Sequence, residues 1–348
     1  MRSHSFQAFL LAIFVSGLSL TQAHAANSHA PMDPNLTTLH QLAEHPVDYG
    51  VVKVTLDHMV DPSVDVKATL HELDGWAEKV RVRLPPNADH YTTFMVLGST
   101  FAVPGPWNDN RPFSYDLSDP FGKNIRNKLV SEYLKTRKGN CVSMPILLLI
   151  LGQKLGLDMA LATAPNHNLV MFRQDDGTWV NIEATSGTAF SNEEYQRQLY
   201  ITPIAMHSGI YLRPLSPAEA VGAMGDELGD YYEKARKPKF QLDLTAYLLE
   251  INPKDTVAMI RRADAYYRLL DEKYFKKYPT PNLIPAADRA DFQMLSKSNA
   301  ELFQQAEALG GFYPVNADTS KKTDHGQKGV SCPSEESSAT SSSVRPLA

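Results

Sequence analysis

Apolar positions in the first third of the chain recur at helical spacing. Val66, Leu70, Leu73, Ala77, Val80 and Leu84 step by four and three, which places them on one stripe of a helix over 64–84. Pro85 and Pro86 end it, because proline lacks the N–H that a further turn needs. Upstream, 26–45 reads as a linker running into a first helix. Downstream, Ile125, Leu129 and Tyr133 repeat every four residues and predict a helix over 123–135. Between the two lies 104–120, rich in Pro, Asn and Asp and carrying Trp107 and Tyr115; loops this long inside compact domains are often functional. After Gly139, Asn140 and Cys141 the chain becomes apolar over 146–155, a helix closed by Gly156. Strand-like segments follow over 159–163 and 168–172, then a turn at Asp175-Asp176-Gly177 and a returning strand over 179–184.

From about 215 only helical patterning is left. Leu228, Gly229 and Tyr232 match the L-G-x-x-Y part of a tetratricopeptide repeat, and Ala263 and Tyr266 fall 34 residues after Gly229 and Tyr232, which is that repeat's own period. Asn252-Pro253 sits at its closing proline. An ordinary helical bundle with a chance match is the alternative. A Pro-rich insert over 279–285 interrupts the second unit, and a last helix runs over 288–309. The tail over 316–348 is rich in Ser, Thr and Lys and too poor in apolar residues to build a core. The amino terminus is patterned differently. Arg2 supplies a positive charge, 9–20 is an apolar stretch of signal-peptide length, and Ala23-His24-Ala25 is an A-x-A cleavage site. That run is too short to span a bilayer comfortably, and no Cys follows it for lipid attachment. Cleavage of a signal peptide over 1–25 and a periplasmic or secreted mature chain are therefore expected, over an uncleaved anchor. The organisation expected is an α+β domain over 46–212, a helical domain over 215–312 and the tail.

Charge and cysteine content narrow the partners. The formal net charge is −5 and the isoelectric point about 6.1, so the chain carries no general basic footprint for nucleic acid. No later segment is apolar for long enough to cross a membrane, so no insertion is expected after signal cleavage. The cysteines are Cys141 and Cys332. An exported chain that relied on disulfides would carry more, and Cys332 lies in the Ser-rich tail. A thiol with chemistry of its own is expected over a bridge.

Cys141 has the position such chemistry needs. It stands at the amino end of a helix, where the dipole favours the thiolate, and Pro145 makes regular hydrogen bonding start just after it. N–H groups on that entry turn, with Asn140 or Trp107, are candidates to hold an oxyanion. His167, at the start of a strand, is the candidate base, and Glu183, on the returning strand, the candidate group that orients it. The turn decides whether they meet. If Asp175-Asp176-Gly177 is a three-residue loop with Gly177 left-handed, Gln174 pairs with Thr178, His167 faces Thr185 and Leu169 faces Glu183. Glu183 is then a diagonal neighbour of His167; a loop one residue shorter or longer puts it on the other face. Asn181, on the same face, is the fallback. No metal and no cofactor is expected: no C-x-x-C or H-x-x-x-H spacing lies near these residues, and His58, His71, His90 and His207 fall in no motif.

These segments carry a resemblance. Arg137 through Pro145, then Leu155-Gly156-Leu157, then Pro165-Asn166-His167-Asn168-Leu169-Val170 resemble the transglutaminase-like superfamily, and more closely its SirB1-related branch. The resemblance implies a transglutaminase-like, papain-like cysteine-protease-type domain followed by tetratricopeptide-like helices. It implies a nucleophilic Cys141, a base His167 and an acid Glu183, with Glu183-Ala184-Thr185 in place of the commoner Asp-Pro-Thr. Two functions are consistent with it. One is hydrolysis or acyl transfer at an amide through a thioester, on a protein or peptide substrate. The other is a catalytically silent fold that binds a protein partner through its helical repeats.

Overall fold

The computed structural model describes residues 33–44, 46–119 and 122–311. The expected signal peptide over 1–25 and the tail over 316–348, with Cys332, lie outside the described residues. The amino-terminal half is mainly helical, with α1 (Pro34–Leu42), α2 (Tyr49–Val60), α3 (Val66–Arg83), α4 (His90–Ala102), α5 (Val130–Thr136) and α6 (Ser143–Lys154). Two short parallel strands, β1 (Ser114–Tyr115) and β2 (Lys138–Gly139), lie among them. Then come β3 (Met159–Ala164), β4 (His167–Arg173), β5 (Trp179–Glu183) and β6 (Thr188–Phe190), an antiparallel sheet in chain order. Helices α7 (Asn192–Gln198), α8 (Pro203–Ser208), α9 (Pro217–Lys234), α10 (Pro238–Ile251), α11 (Thr256–Leu270) and α12 (Arg289–Ala308) complete it.

Helix α6 is the centre of the packing. Its run from Ile146 to Leu151 is apolar on almost every side, which suits a helix buried all round. It packs against α2, α3, α4, α5, β3 and β4. Gly152 makes room for the Met159 side chain of β3: a Cβ there would stand 2.2 Å from its Sδ. The expected stripe on α3 faces the same core through Leu73, Ala77 and Val80, and Asp65 caps that helix at the Ala68 N–H.

The hairpin between β4 and β5 closes in the expected register. Gln174 N–H donates to Thr178 O at 2.8 Å, Gly177 has φ +85°, and Arg173 pairs with Trp179 and Val170 with Ile182. The same register, carried on, sets Leu169 opposite Glu183.

Other expectations change. The helix expected over 123–135 is a 3-10 turn, Ile125–Lys128, followed by α5. Leu129 between them is extended and fully buried, and the regular spacing of Ile125, Leu129 and Tyr133 reflected that anchoring, not one continuous helix. The loop over 104–120 holds a 3-10 turn, Pro106–Asn108, and β1. Helices α2 and α4 had no counterpart in the sequence reading. The helical end is not separate from the rest: α9 packs on α2 and β3, α10 on α9, α11 on α10 and α12 on α11. Leu56, Ile150 and Leu161 share one apolar cluster with Met224, Leu228 and Leu248. Inside the α2–α9 contact, Lys53 Nζ meets Asp57 Oδ1 at 2.5 Å and both Glu227 oxygens at 2.7 Å, and all three side chains are buried.

Candidate active site

Cys141 is carried to the mouth of α6 by a segment fixed along its length. Arg137, left-handed at φ +59°, donates to the carbonyls of Asn108 and Arg111 and to Asp109 Oδ2. Gly139 is required next: a Cβ there would come within 2.7 Å of the Tyr133 ring and 2.8 Å of Met144. Asn140 then caps the helix. Its Oδ1 accepts the N–H of Val142 at 2.9 Å and of Ser143 at 3.2 Å, and its amide donates to Asn127 O at 3.1 Å. Asn140 thus holds the entry turn through the backbone, with its amide aimed at Asn127 and not outward as an oxyanion donor. Two of the N–H groups expected to surround the sulfur are taken by that cap.

His167 opens β4 after a two-residue turn, Pro165-Asn166, that links Ala164 to its partner His167. Asn166 is left-handed at φ +53°, a conformation asparagine tolerates better than most residues. The Cys141 thiol donates to the Asn166 carbonyl with Sγ to O at 3.7 Å, so the sulfur sits against the residue that precedes the histidine.

Glu183 meets His167 as the register requires. His167 Nε2 lies 2.6 Å from Glu183 Oε2, with both side chains 1% exposed. The other oxygen, Oε1, accepts the Thr185 N–H at 3.0 Å and its hydroxyl at 2.6 Å. Tyr195, from α7, donates its hydroxyl to Oε2 at 2.9 Å. Burial works to raise the Glu183 carboxyl, but the His167 charge and the hydrogen bonds from His167 and Thr185 outweigh it and hold the group below the usual carboxylate range. Burial, and then the Glu183 charge, push the Tyr195 phenol far above its ordinary value, so it is a donor throughout. The sequence reading missed Tyr195. It lies beyond β6 on a short polar helix, and no periodicity points from there to Glu183.

The remaining candidates stand elsewhere. Asn181 donates to Asn192 Oδ1 at 2.7 Å, not to His167, and its buried Oδ1 has no partner among the described residues. It lines a shallow cavity of about 340 Å³ with Trp179, Phe190 and Glu193, whose lining includes neither His167 nor Glu183. The Trp107 ring, on the turn Pro106–Asn108, lies 3.6 Å from the Arg83 guanidinium of α3, and its buried Nε1 has no partner among the described residues. Among the described residues no group of three or more His, Cys, Asp or Glu is placed to hold a metal ion. No helix among them is long and apolar enough to cross a membrane.

The fold thus brings a thiol at a helix mouth, a histidine on the first strand of a hairpin and a carboxylate on the second into one neighbourhood. Residues 67–224 match the family model described as the transglutaminase-like superfamily, so the chain carries a transglutaminase-like domain that encloses Cys141, His167 and Glu183. Comparison with curated proteins and with solved structures returned no match.

Proposed function

We propose that the chain is an exported, cysteine-dependent amide hydrolase or acyltransferase of the SirB1-related branch. In this reading residues 1–25 direct export to the periplasm or beyond, 46–212 hold the active site, and 215–312 form tetratricopeptide-like helices that meet a protein partner. The observation that carries it is the His167 Nε2–Glu183 Oε2 bond of 2.6 Å, with the Cys141 sulfur held 3.7 Å from the carbonyl of the residue before His167. With Nε2 committed to the carboxylate, proton transfer falls to Nδ1. His167 takes the thiol proton, and Cys141 Sγ attacks the carbonyl carbon of a protein or peptide amide. The tetrahedral oxyanion forms at the positive end of α6. His167 passes its proton to the leaving amine as the C–N bond breaks, which leaves a thioester on Cys141. Water or a second amine then attacks the thioester, His167 takes the proton of that nucleophile, and the thiol is restored as an acid or a new amide departs. Glu183 keeps the ring in place and balances the imidazolium.

One observation favours a second reading. Cys141 is 6% exposed, as a residue packed into a silent binding fold would be. Alkylation of the full chain with iodoacetamide at neutral pH separates the two. The enzyme reading expects Cys141 to react at least about tenfold faster than an ordinary thiol, and a His167→Ala variant to lose that advantage. Equally slow labelling of both chains leaves the scaffold as the function.

A further inference from the structure

Tyr195 takes no part in the steps above, yet it touches the group that orients the base. Its hydroxyl donates to Glu183 Oε2, the oxygen that His167 Nε2 also meets, at 2.9 and 2.6 Å. The opposite oxygen is fully engaged by Thr185, so the carboxylate is clamped from both sides. Tyr195 is 0% exposed, its ring stands 5.4 Å from Phe190 and 6.0 Å from the His167 ring, and Ser191 caps the helix that carries it. Packing alone would be satisfied by phenylalanine. A buried hydroxyl aimed at a carboxylate is a charge-assisted bond, stronger than a neutral one and directional.

We infer that Tyr195 is a positioning residue of this site: its hydroxyl fixes Glu183 Oε2 against the His167 ring and keeps that carboxylate ionised beside the imidazolium. The inference rests on the reading of Cys141 and His167 as nucleophile and base. Among the described residues, the titratable groups that face Glu183 are His167 from β4 and Tyr195 from α7. The phenol stays protonated through the working range, so its effect on pH dependence is exerted through Glu183. A donor to the charged form of an acid makes that acid harder to protonate. Removing the hydroxyl therefore makes Glu183 easier to protonate and lets it swing from the ring.

The test is the pH–rate profile of Cys141 alkylation in the full chain, from about pH 4 to pH 9, read by peptide mass spectrometry that separates Cys141 from Cys332. Tyr195→Phe keeps the ring and removes the hydroxyl; its acidic limb is expected to move up by about one pH unit, the scale of one hydrogen bond to a charged group. Placing 3-fluorotyrosine at 195, a stronger donor, is expected to move the limb down. Leu199→Val serves as the packing control. Leu199 is 1% exposed in the same apolar cluster, so the variant is expected to lower the melting temperature and leave the limb in place. If neither Tyr195 variant moves the limb while His167→Ala abolishes the profile, the inference is overturned and the nucleophile–base reading stands. If His167→Ala itself leaves the profile unchanged, that reading fails and the inference with it. Should Tyr195→Phe fold poorly, the fluorotyrosine arm decides alone, since it leaves the packing nearly intact.

Discussion

The charged group buried between α2 and α9 makes a stability prediction with an unusual sign. One ammonium, Lys53, serves two carboxylates, Asp57 and Glu227, and all three are shut off from water. Asp57 Oδ2 also accepts the Ser131 N–H at 3.0 Å, so its charge has a second use at the start of α5. Glu227 is the less compensated of the two. Burial, opposed by Lys53 and aided by the Asp57 charge, holds it up at about 7. A glutamate in the unfolded chain ionises near pH 4.3. Over the interval between, the folded chain keeps a proton that the unfolded chain has lost. The stability this confers is full below about pH 4 and is lost as pH rises through about 7. At about 1.4 kcal/mol per pH unit, the rise from pH 5 to pH 8 removes roughly 3 kcal/mol, or about 6 °C of melting temperature in a chain of this size. Glu227→Gln has nothing to titrate. Melting curves of the two chains by circular dichroism, in buffers of matched ionic strength, give the difference directly. The wild-type melting temperature is expected to fall relative to Glu227→Gln by about 6 °C across that range. A difference that stays constant within about a degree would mean that Glu227 is ionised throughout, and the reasoning from its burial would be refuted.

Three further outcomes are expected. Gly152→Ala places a methyl where a Cβ would stand 2.2 Å from Met159 Sδ, so that side chain must move, and is expected to cost about 1–3 kcal/mol in urea unfolding; an unchanged midpoint would show that Met159 repacks freely. Asn140→Ala removes the cap on the Val142 and Ser143 N–H groups, and is expected to cost about 1 kcal/mol and to slow Cys141 alkylation. Glu183, held below the usual carboxylate range, contributes stability above about pH 4.3 that is lost as pH falls through its lower folded value. Acid unfolding monitored by tryptophan fluorescence should therefore show a shallower loss for Glu183→Gln than for the wild type in that window.

What could be read from the sequence was whatever local chemistry decides. Asp175-Asp176-Gly177 fixed the loop length, and loop length fixed the register that brings Glu183 to His167. The α3 stripe was visible because its positions from Val66 to Val80 answer to one core. Helix α2 was not visible. Its buried Val52, Val54 and Leu56 alternate like a strand, and the buried Lys53 among them and Asp57 just after look like solvent positions until Glu227, 174 residues beyond Lys53, is brought in. Asn140 is open in sequence to an oxyanion or a positioning role; a short amide two or three residues before free N–H groups caps the backbone more readily than it reaches a ligand. The Trp107 ring found Arg83, a cation from another helix that no spacing could reveal.

The same long-range contacts tie the thiol to the helical end. Glu227 on α9 holds Lys53, Lys53 holds Asp57, and Asp57 caps α5 at Ser131. Helix α5 leads through Arg137 and β2 to Asn140 and Cys141. Lys128, just before α5, pairs with Asp230 on α9 at 2.6 Å, and Asp230 in turn meets Arg261 on α11 at 2.6 Å. Each link is an ion pair or a capped N–H in a partly or wholly buried place, where removing one partner leaves the other uncompensated. The match to the transglutaminase-like family itself runs to residue 224, inside α9. A displacement of α9 would therefore be felt at the start of α5 and, through the α9–β3 contact, at the sheet that carries His167. Helix α6, at whose mouth Cys141 stands, shares one apolar cluster with α9 and α10, so a loss of Cys141 reactivity is to be separated from a loss of stability before it is assigned to the site.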